Sequence, residues 1–315
     1  MMATGLKPEH LIDIMPNVRG KLKADEALSR YTWFKVGGPA EVLFKPADEE
    51  DLCGFLSKLP IDIPISIIGN ASNLLVRDGG VPGVVIRLGA SFSEIEITNC
   101  QIRIGAAAAD LNVARKARDN AISGFEFLSG IPGTLGGAIR MNAGAYGAEI
   151  KDVCLSVKAV DRKGKVHELK NQDLGFIYRH SGIDPTWIIT EVTLKGQDGT
   201  LSDITTRMEN IQLDREQNQP VRTLTSGSTF TNPPGHKAWQ LIDEAGCRGL
   251  VRGGAIVSNL HCNFLVNAGN ATAEDIEGLG EEVRRRVFNQ LGVMLNWEIK
   301  NMGIPADDNV KEIEQ

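Results

Sequence analysis

The stretch Ser129-Gly130-Ile131-Pro132-Gly133-Thr134-Leu135-Gly136-Gly137-Ala138 decides the fold that the sequence predicts. Its four glycines within eight residues allow the backbone to turn sharply and to bring several N–H groups to one point. Such a concave array of donors binds phosphate, and no side chain blocks the approach. The stretch therefore indicates a loop that holds a phosphorylated ligand.

Two more loops of small residues lie near this stretch in the sequence. Gly69-Asn70-Ala71-Ser72-Asn73 separates two apolar runs, and Asn142–Gly147 follows the glycine-rich stretch. Gly, Asn and Ser tolerate unusual backbone angles, so either loop alone is more often a tight turn at a domain crossing. Three such loops within about eighty residues favour ligand binding instead. Together they suit a large diphosphate cofactor.

The spacing of the glycines excludes two common nucleotide sites. No Gly-x-Gly-x-x-Gly follows a strand, which argues against a Rossmann dinucleotide site. No Gly-x-x-x-x-Gly-Lys-Ser/Thr is present either, which argues against a nucleoside triphosphatase.

Hydrophobic periodicity predicts strands and helices along the whole chain. Asp48–Leu59 has apolar residues on one helical face, and Asp203–Gln217 is a second predicted helix. Thr272-Ala273-Glu274-Asp275 resembles a capping box at the start of a third helix, with Asp in place of the preferred Glu or Gln. Leu155–Val160 and Val166–Leu169 flank a polar turn and predict a β-hairpin.

Composition limits the class of protein. A net charge of −6 argues against a general nucleic-acid binder. No apolar run approaches the roughly 20 residues that span a bilayer, and residues 1–13 lack a signal-peptide core. The five cysteines are scattered without a CxxC pair, and no HExxH occurs, so we expect reduced thiols and no metal site. The chain is predicted to be cytoplasmic, with no membrane partner.

Six motifs in consistent order resemble the MurB-type UDP-N-acetylenolpyruvoylglucosamine reductases. They are Thr32–Ala40, Gly69–Val76, Gly130–Gly147, Tyr178–Ser181, Ser226–Phe230 and Leu295–Glu298. The similarity covers roughly residues 30–303, and several spaced motifs are more specific than one glycine loop. The connection from Gly147 to Lys158 is too short for the substrate-covering tyrosine loop of the longer subtype, so the chain resembles the shorter subtype.

The resemblance implies an α+β protein with the vanillyl-alcohol-oxidase-type FAD-binding fold: two α/β subdomains and an α/β substrate-binding domain. The polar stretch 195–202 is the internal boundary that the sequence suggests. The expected division is an N-terminal helical lead-in at 1–30, an FAD-binding region at 31–200 with subdomains near 31–90 and 91–200, a substrate-binding domain at 203–292, a C-terminal strand at 293–303 that returns to the active site, and a tail at 304–315.

The resemblance also implies the reaction and its partners. NADPH reduces non-covalently bound FAD, and hydride then passes to the enolpyruvyl group of UDP-N-acetylglucosamine enolpyruvate, which gives UDP-N-acetylmuramate for the cell wall. We expect a monomer. The residues expected to bind the cofactor lie in the three small-residue loops and are Gly69, Asn70, Ala71, Ser72, Asn73, Leu74, Gly130, Ile131, Pro132, Gly133, Gly136, Gly137, Asn142, Gly144 and Gly147.

Three residues match the reactive positions of the family. Hydride addition to the β-carbon leaves negative charge on the α-carbon and its carboxylate, and Arg179 suits that charge because a guanidinium grips a carboxylate through two hydrogen bonds. Ser228 matches the family's proton donor, and Glu298 matches its third active residue, whose pKa a substrate carboxylate should raise. Taken singly, they would be a surface ion pair, a turn residue and an exposed strand-end charge.

Substrate contacts are less defined. Tyr178 and Asn232 match positions that contact the UDP-sugar, although both suit ordinary packing and turn roles. Asn218 and Leu260 replace basic residues that relatives often carry. The missing charge near the diphosphate has three candidates, between which the sequence does not choose: Arg215, Arg222 and Arg252.

Two other functions stay open at this point. A different oxidoreductase of the same flavin superfamily would keep the glycine loops but would not need Arg179, Ser228 and Glu298 together. A flavin- or nucleotide-binding protein without chemistry would bind its ligand and show no turnover. The presence of all three reactive positions in separate motifs favours the reductase.

Overall fold

The computed structural model describes residues 10–306, which form three packed units. The elements of the first unit are β1 (Lys21–Ala27), β2 (Pro39–Lys45), α1 (Glu49–Lys58), β3 (Ile65–Ile67), β4 (Leu74–Val76) and β5 (Val81–Ile86). Its sheet has the order β1-β2-β5-β3, with β1 antiparallel and the other pairs parallel. The Asp48 side chain accepts a hydrogen bond from the Asp51 N–H at the start of α1, and Leu52 and Phe55 are buried beneath it. The predicted helix over 48–59 is therefore confirmed.

The helical lead-in expected over residues 1–30 is wrong where the structure describes it. Leu11–Ile14 forms a single 3-10 turn, and Lys21–Ala27 is the edge strand β1. The physical reason is the pairing of this segment with β2, in which Leu22 packs against the core of the first unit while the lysines that flank it are exposed. Residues 1–9 lie outside the described part of the chain, as do residues 307–315 of the expected tail.

The second unit is built on an antiparallel five-stranded sheet. Its elements are β6 (Ile95–Thr98), β7 (Gln101–Gly105), α2 (Asp110–Asp119), β8 (Ile122–Ser123), α3 (Leu135–Arg140), β9 (Gly144–Ala145), β10 (Ala148–Glu149), α4 (Ile150–Val153), β11 (Cys154–Val160), β12 (Val166–Lys170), β13 (Ile188–Lys195) and β14 (Gln197–Asp198). The sheet order is β12-β11-β13-β7-β6. The β11–β12 pair confirms the predicted hairpin, in which the Asp161 carboxylate accepts hydrogen bonds from the N–H groups of Lys163 and Lys165.

The third unit follows a long connecting helix. That helix is α5 (Leu201–Asn218), and the elements after it are α6 (Ala238–Glu244), β15 (Val251–Arg252), β16 (Ala255–Val257), β17 (Leu265–Asn267), α7 (Ala273–Leu291) and β18 (Lys300–Met302). The predicted capping box is present at α7: Thr272 accepts from the Asp275 N–H, and Asp275 accepts from the Thr272 N–H. Asp therefore serves this motif as well as the more usual Glu.

The stretch 195–202 does not separate the cores of the units. β14 pairs with β8 of the second unit, and Ile204 and Met208 of α5 belong to the second unit's core. The core of the third unit instead includes Phe34 and Val36 from the start of the chain. Packing thus assigns most of α5 to the second unit and a short N-terminal segment to the third.

The chain closes by returning to the first unit. β18 runs parallel to β4, with Lys300 opposite Leu74 and Met302 opposite Val76. This pairing brings Glu298, two residues before β18, to the edge of the Gly69–Leu74 loop. Within residues 10–306, no helix combines the length and the apolarity needed to cross a membrane.

Candidate active site

Two predicted loops meet face to face between the first and second units. The Asn70 side-chain amide donates to the Gly133 carbonyl at 3.3 Å, and the Ser72 hydroxyl donates to the Pro132 carbonyl at 2.7 Å. A Cβ on Gly69 would lie 2.3 Å from Thr134 Oγ1, so a larger residue would force the loops apart. The sequence predicted that both loops bind one ligand, and in the structure the two loops are in contact.

The sequence predicted that the glycine-rich stretch supplies backbone N–H groups to a ligand, but several of these groups already have protein acceptors. The N–H groups of Leu135 and Gly136 donate to the carbonyls of Ala108 and Ala106, at 2.9 and 2.8 Å. By contrast, the backbone N–H groups of residues 70–73 donate to no protein group within the described part of the chain. The shorter loop, bent by Ala71 with φ of 49°, therefore presents more free donors than the glycine-rich stretch.

A cavity of about 250 Å³ lies beside these loops. It is lined by four of the predicted cofactor residues, Gly69, Asn70, Gly136 and Gly137. Sequence reasoning missed the rest of the lining, which comprises Ile67, Ile68, Arg87, Leu88, Gly89, Ala90, Ser93, Ala106, Ala107, Thr134, Arg140, Trp187 and Ile189. The end of β5 at Arg87-Leu88-Gly89 was the one local signal, because a strand of a parallel pair often ends at a ligand site.

The other predicted cofactor residues do not line this cavity. Ala71, Ser72 and Asn73 continue the first loop toward Glu298, and Leu74 opens β4. Gly130–Gly133 carries the carbonyls that hold the first loop. Gly144 and Gly147 lie in and beside the small β9–β10 hairpin.

Asn142 has a structural position that its motif did not reveal. The residue is fully buried, and its side-chain amide donates to the Ile177 carbonyl at 3.1 Å and to Glu149 at 3.3 Å, while its oxygen accepts from the Lys151 N–H. Ile177 and His180 bond to each other across the intervening Tyr178-Arg179 pair. Asn142 therefore fastens the tight turn that carries Arg179.

Arg179 is held at the point where all three units meet. Its backbone has φ of 56°, in the left-handed region that few side chains adopt without support. Its Nε lies 2.9 Å from Glu298 Oε1, and the Tyr178 ring lies 5.0 Å from the guanidinium. Nη1 and Nη2 donate no hydrogen bond to any protein group among residues 10–306.

Glu298 is largely covered in this junction, with 17% of its side chain exposed. Burial raises the pKa of its carboxyl above the ordinary value, and the neighbouring Arg179 guanidinium opposes that shift only in part. This effect of burial is separate from the shift that the sequence predicts for Glu298 beside a substrate carboxylate, which stays a prediction. Such a group holds its proton more readily than a surface glutamate does.

Ser228 lies one residue from the strand-like contact with Glu298. The Glu298 N–H donates to the Thr229 carbonyl at 2.8 Å, and the Asn73 side chain donates to the Glu298 carbonyl at 3.1 Å. Ser228 is half-buried, and its hydroxyl makes no hydrogen bond with a described protein residue. The structure therefore links Arg179 to Glu298 directly, and links Glu298 to the Ser228 segment through Thr229.

The remaining candidate residues differ in whether their side chains already have partners in the protein. Tyr178 is half-exposed and stacked on Arg179, whereas the Asn232 side-chain oxygen accepts from the Ala238 N–H at the start of α6. Arg252 lies against Gly278 of α7. Arg215 has one long hydrogen bond, 3.4 Å to Gln219.

Comparison with known proteins gives consistent matches along the chain. Residues 219–302 match the family described as UDP-N-acetylenolpyruvoylglucosamine reductase, C-terminal domain, and residues 40–170 match the family described as FAD binding domain. The UDP-N-acetylenolpyruvoylglucosamine reductases of Azorhizobium caulinodans and Parvibaculum lavamentivorans are 56% and 57% identical to the chain, over 93% of it and 95% of each relative. The crystal structure of the Thermus caldophilus enzyme of that name superposes with a TM-score of 0.78 at 36% identity, over 91% of this chain and 100% of that one.

Proposed function

The chain belongs to the UDP-N-acetylenolpyruvoylglucosamine reductase family, and from this premise we propose that Arg179, Glu298 and Ser228 carry its reaction. It is a flavoenzyme with the vanillyl-alcohol-oxidase-type FAD-binding fold. It uses NADPH to reduce UDP-N-acetylglucosamine enolpyruvate to UDP-N-acetylmuramate in peptidoglycan precursor synthesis. The family resemblance and the fold class predicted from the sequence are thus confirmed. The two alternatives, another flavin oxidoreductase and a binding protein without turnover, have no observation in their favour.

The residues around the cavity fit a dinucleotide such as FAD. The free backbone amide of Asn70 suits a phosphate, the cavity has apolar walls at Ile67 and Ile189, and its lining within residues 10–306 contains no Asp or Glu. We propose that the Gly69–Asn73 loop and the Gly130–Gly137 loop hold the cofactor between them. When bound, FAD supplies the hydride that NADPH provides.

Arg179 neutralises the charge that develops on the substrate. Because Nε is engaged with Glu298, Nη1 and Nη2 are the donors that remain for a carboxylate. Its turn is fastened by Asn142, so the guanidinium is positioned before substrate arrives. The Arg179–Glu298 ion pair at the junction of the three units is the single observation that carries this assignment.

Glu298 stabilises the enolate-like intermediate, and Ser228 donates a proton to its α-carbon. Burial raises the pKa of the Glu298 carboxyl, and in its protonated form this group donates a hydrogen bond to the enolate-like oxygen of the substrate. The Ser228 hydroxyl transfers its proton to the α-carbon and recovers one from water, to which its half-exposed position gives access. Tyr178 and Asn232 are proposed to contact the sugar nucleotide, with Arg215 or Arg222 near its diphosphate.

We also propose the setting in which the enzyme works. Its five cysteines are free thiols in the structure, which suits the reducing cytoplasm. We propose that it works as a monomer. The connection after Gly147 consists of β10, α4 and the start of β11, which supports the shorter subtype. Size-exclusion chromatography with light scattering tests the monomer.

The Ser228→Ala variant tests the assignment of the proton donor. We expect reduction of the flavin by NADPH to stay at the wild-type rate, while its reoxidation by the enolpyruvyl sugar nucleotide slows by about 100-fold or more. Stopped-flow absorbance resolves the two half-reactions. The exposed Ser57→Ala is the matched control and should behave as wild type. Equal rates of flavin reoxidation in both variants would show that Ser228 is not the proton donor. NADPH oxidation that does not depend on the sugar nucleotide would refute the function itself.

A further inference from the structure

Arg87 projects from the end of β5 into the wall of the cavity. Its backbone N–H donates to the Phe44 carbonyl at 2.9 Å, so the residue is fixed to the neighbouring strand. The Tyr31 ring lies 4.9 Å from its guanidinium, and the Tyr31 hydroxyl is itself held by Glu26 at 2.6 Å. The aromatic ring orients the cation without consuming its hydrogen-bond donors.

The Arg87 side chain has no polar partner within residues 10–306. Its Nε is buried and lacks an acceptor, and no carboxylate forms an ion pair with the guanidinium. A second arginine of the lining shows the contrast: the Arg140 guanidinium donates to the carbonyls of Ile183, Asp184 and Trp187. Leaving a buried charged donor unsatisfied is costly, so such a group usually awaits a ligand.

The charges and hydrogen-bond donors around Arg87 favour an anionic ligand. Asn70, whose backbone N–H has no protein acceptor within residues 10–306, lines the same cavity, and the lining contains no acidic residue in that part of the chain. Lys45 adds a second positive charge beside Tyr31, at 4.8 Å from its ring. Apolar and aromatic walls at Ile67, Trp187 and Ile189 complete a space suited to a flat ring attached to phosphate.

We infer that Arg87 binds the diphosphate of the dinucleotide cofactor, as the side-chain cation that complements the backbone amide of Asn70 in the same cavity. This rests on the proposed function, because it takes FAD as the ligand of the cavity. A guanidinium matches two phosphate oxygens through parallel hydrogen bonds, which backbone amides alone do not supply. Arg87 thus acts on cofactor affinity and not on the chemical step.

The test is the affinity of the full-length, flavin-free chain for phosphate-bearing and phosphate-free ligands. In Arg87→Gln we expect the Kd for FAD and for ADP to rise by about 10- to 100-fold, as for a lost charge-assisted bond, with a shallower dependence on salt. The Kd for riboflavin, which lacks phosphate, should not change. Fluorescence quenching follows the flavins, and calorimetry follows ADP.

The controls separate a local effect from misfolding. Arg87→Lys should lie between wild type and Arg87→Gln, because it keeps the charge and loses the fork geometry. Arg118→Gln, which removes a half-buried arginine of α2 that is paired with Asp119, should bind every ligand as wild type does. Unchanged FAD affinity in Arg87→Gln, or an equal loss for riboflavin, would overturn the inference. Failure of the wild-type chain to bind FAD would instead overturn the proposed function.

Discussion

At the scale of single residues, the site depends on side chains that support other side chains. Arg179 contacts Glu298, and Asn142 holds the turn on which Arg179 lies. The sequence predicted Asn142 as a cofactor ligand because it opens a loop of small residues. From its hydrogen bonds to Ile177 and Lys151 we propose that Asn142 positions the Arg179 turn.

Asn142→Ala should weaken catalysis without removing the flavin. Loss of the bond to the Ile177 carbonyl frees the Arg179 turn, so kcat/KM for the enolpyruvyl substrate should fall by about 10- to 100-fold. The flavin content of the purified protein should stay at the wild-type level. Asn171→Ala is a matched control, because it also removes two side-chain bonds to carbonyls, those of Lys151 and Cys154. If Asn142→Ala purified without bound flavin, the result would support the original prediction that Asn142 binds the cofactor.

Glu298→Gln should change how stability depends on pH. Burial raises the pKa of Glu298 above 4.5, so the folded protein binds this proton more strongly than the unfolded chain does. The free energy of unfolding therefore falls as pH rises from the ordinary value through the folded one. Because glutamine does not ionise, the variant does not lose this stability. Its free energy of unfolding relative to wild type should therefore increase across that pH range. Urea unfolding between about pH 4 and 8 measures the difference, and a difference independent of pH would contradict the assignment.

At the scale of elements, local patterns account for the helices and the hairpin. The amphipathic face of α1, the capping box of α7 and the polar turn between β11 and β12 each lie within a few residues of sequence. The lead-in is the counterexample: Lys21–Ala27 is a strand because β2 is available to pair with it. An edge strand depends on a neighbour, and a sequence pattern alone does not specify that neighbour.

Thr272→Ala should destabilise the third unit through α7. The Thr272 hydroxyl satisfies the Asp275 N–H, and removal of an N-cap of this type costs about 0.5–2 kcal/mol. Chemical denaturation should show a lower midpoint with an unchanged slope. Thr206→Ala, on the exposed face of α5, should stay within about 0.5 kcal/mol of wild type. Equal losses in the two variants would exclude the cap as the cause.

At the scale of the whole molecule, side chains of the first unit complete elements of the third. The Asp78 carboxylate accepts hydrogen bonds from the N–H groups of Ala273 and Glu274, at 3.0 Å each. Arg77 pairs with Glu277 of α7 through two short bonds, and β18 pairs with β4 alongside. These contacts fix the third unit over the junction where Arg179 and Glu298 meet.

Asp78→Ala should loosen the third unit without unfolding the others. It leaves two amides at the start of α7 without an acceptor and removes a favourable negative charge there, at a cost of about 1–3 kcal/mol. Hydrogen exchange should rise in α7 and β18 while the sheet of the second unit keeps its protection. Asp119→Ala, which breaks an exposed ion pair with Arg118, is the control and should change exchange little. Uniform exchange across the chain would contradict this docking role.

The sequence by itself determined the loops of small residues, the main helices, the hairpin and the family, because each rests on residues close together in the chain. Only the tertiary structure decided which residues meet across units. Arg179 and Glu298 are 119 positions apart, and their contact depends on how three units pack. The same holds for Arg87 in the cavity wall and for the boundary at α5. Local propensity acts over a few residues, whereas a partner across the fold is selected by burial and by long-range pairing.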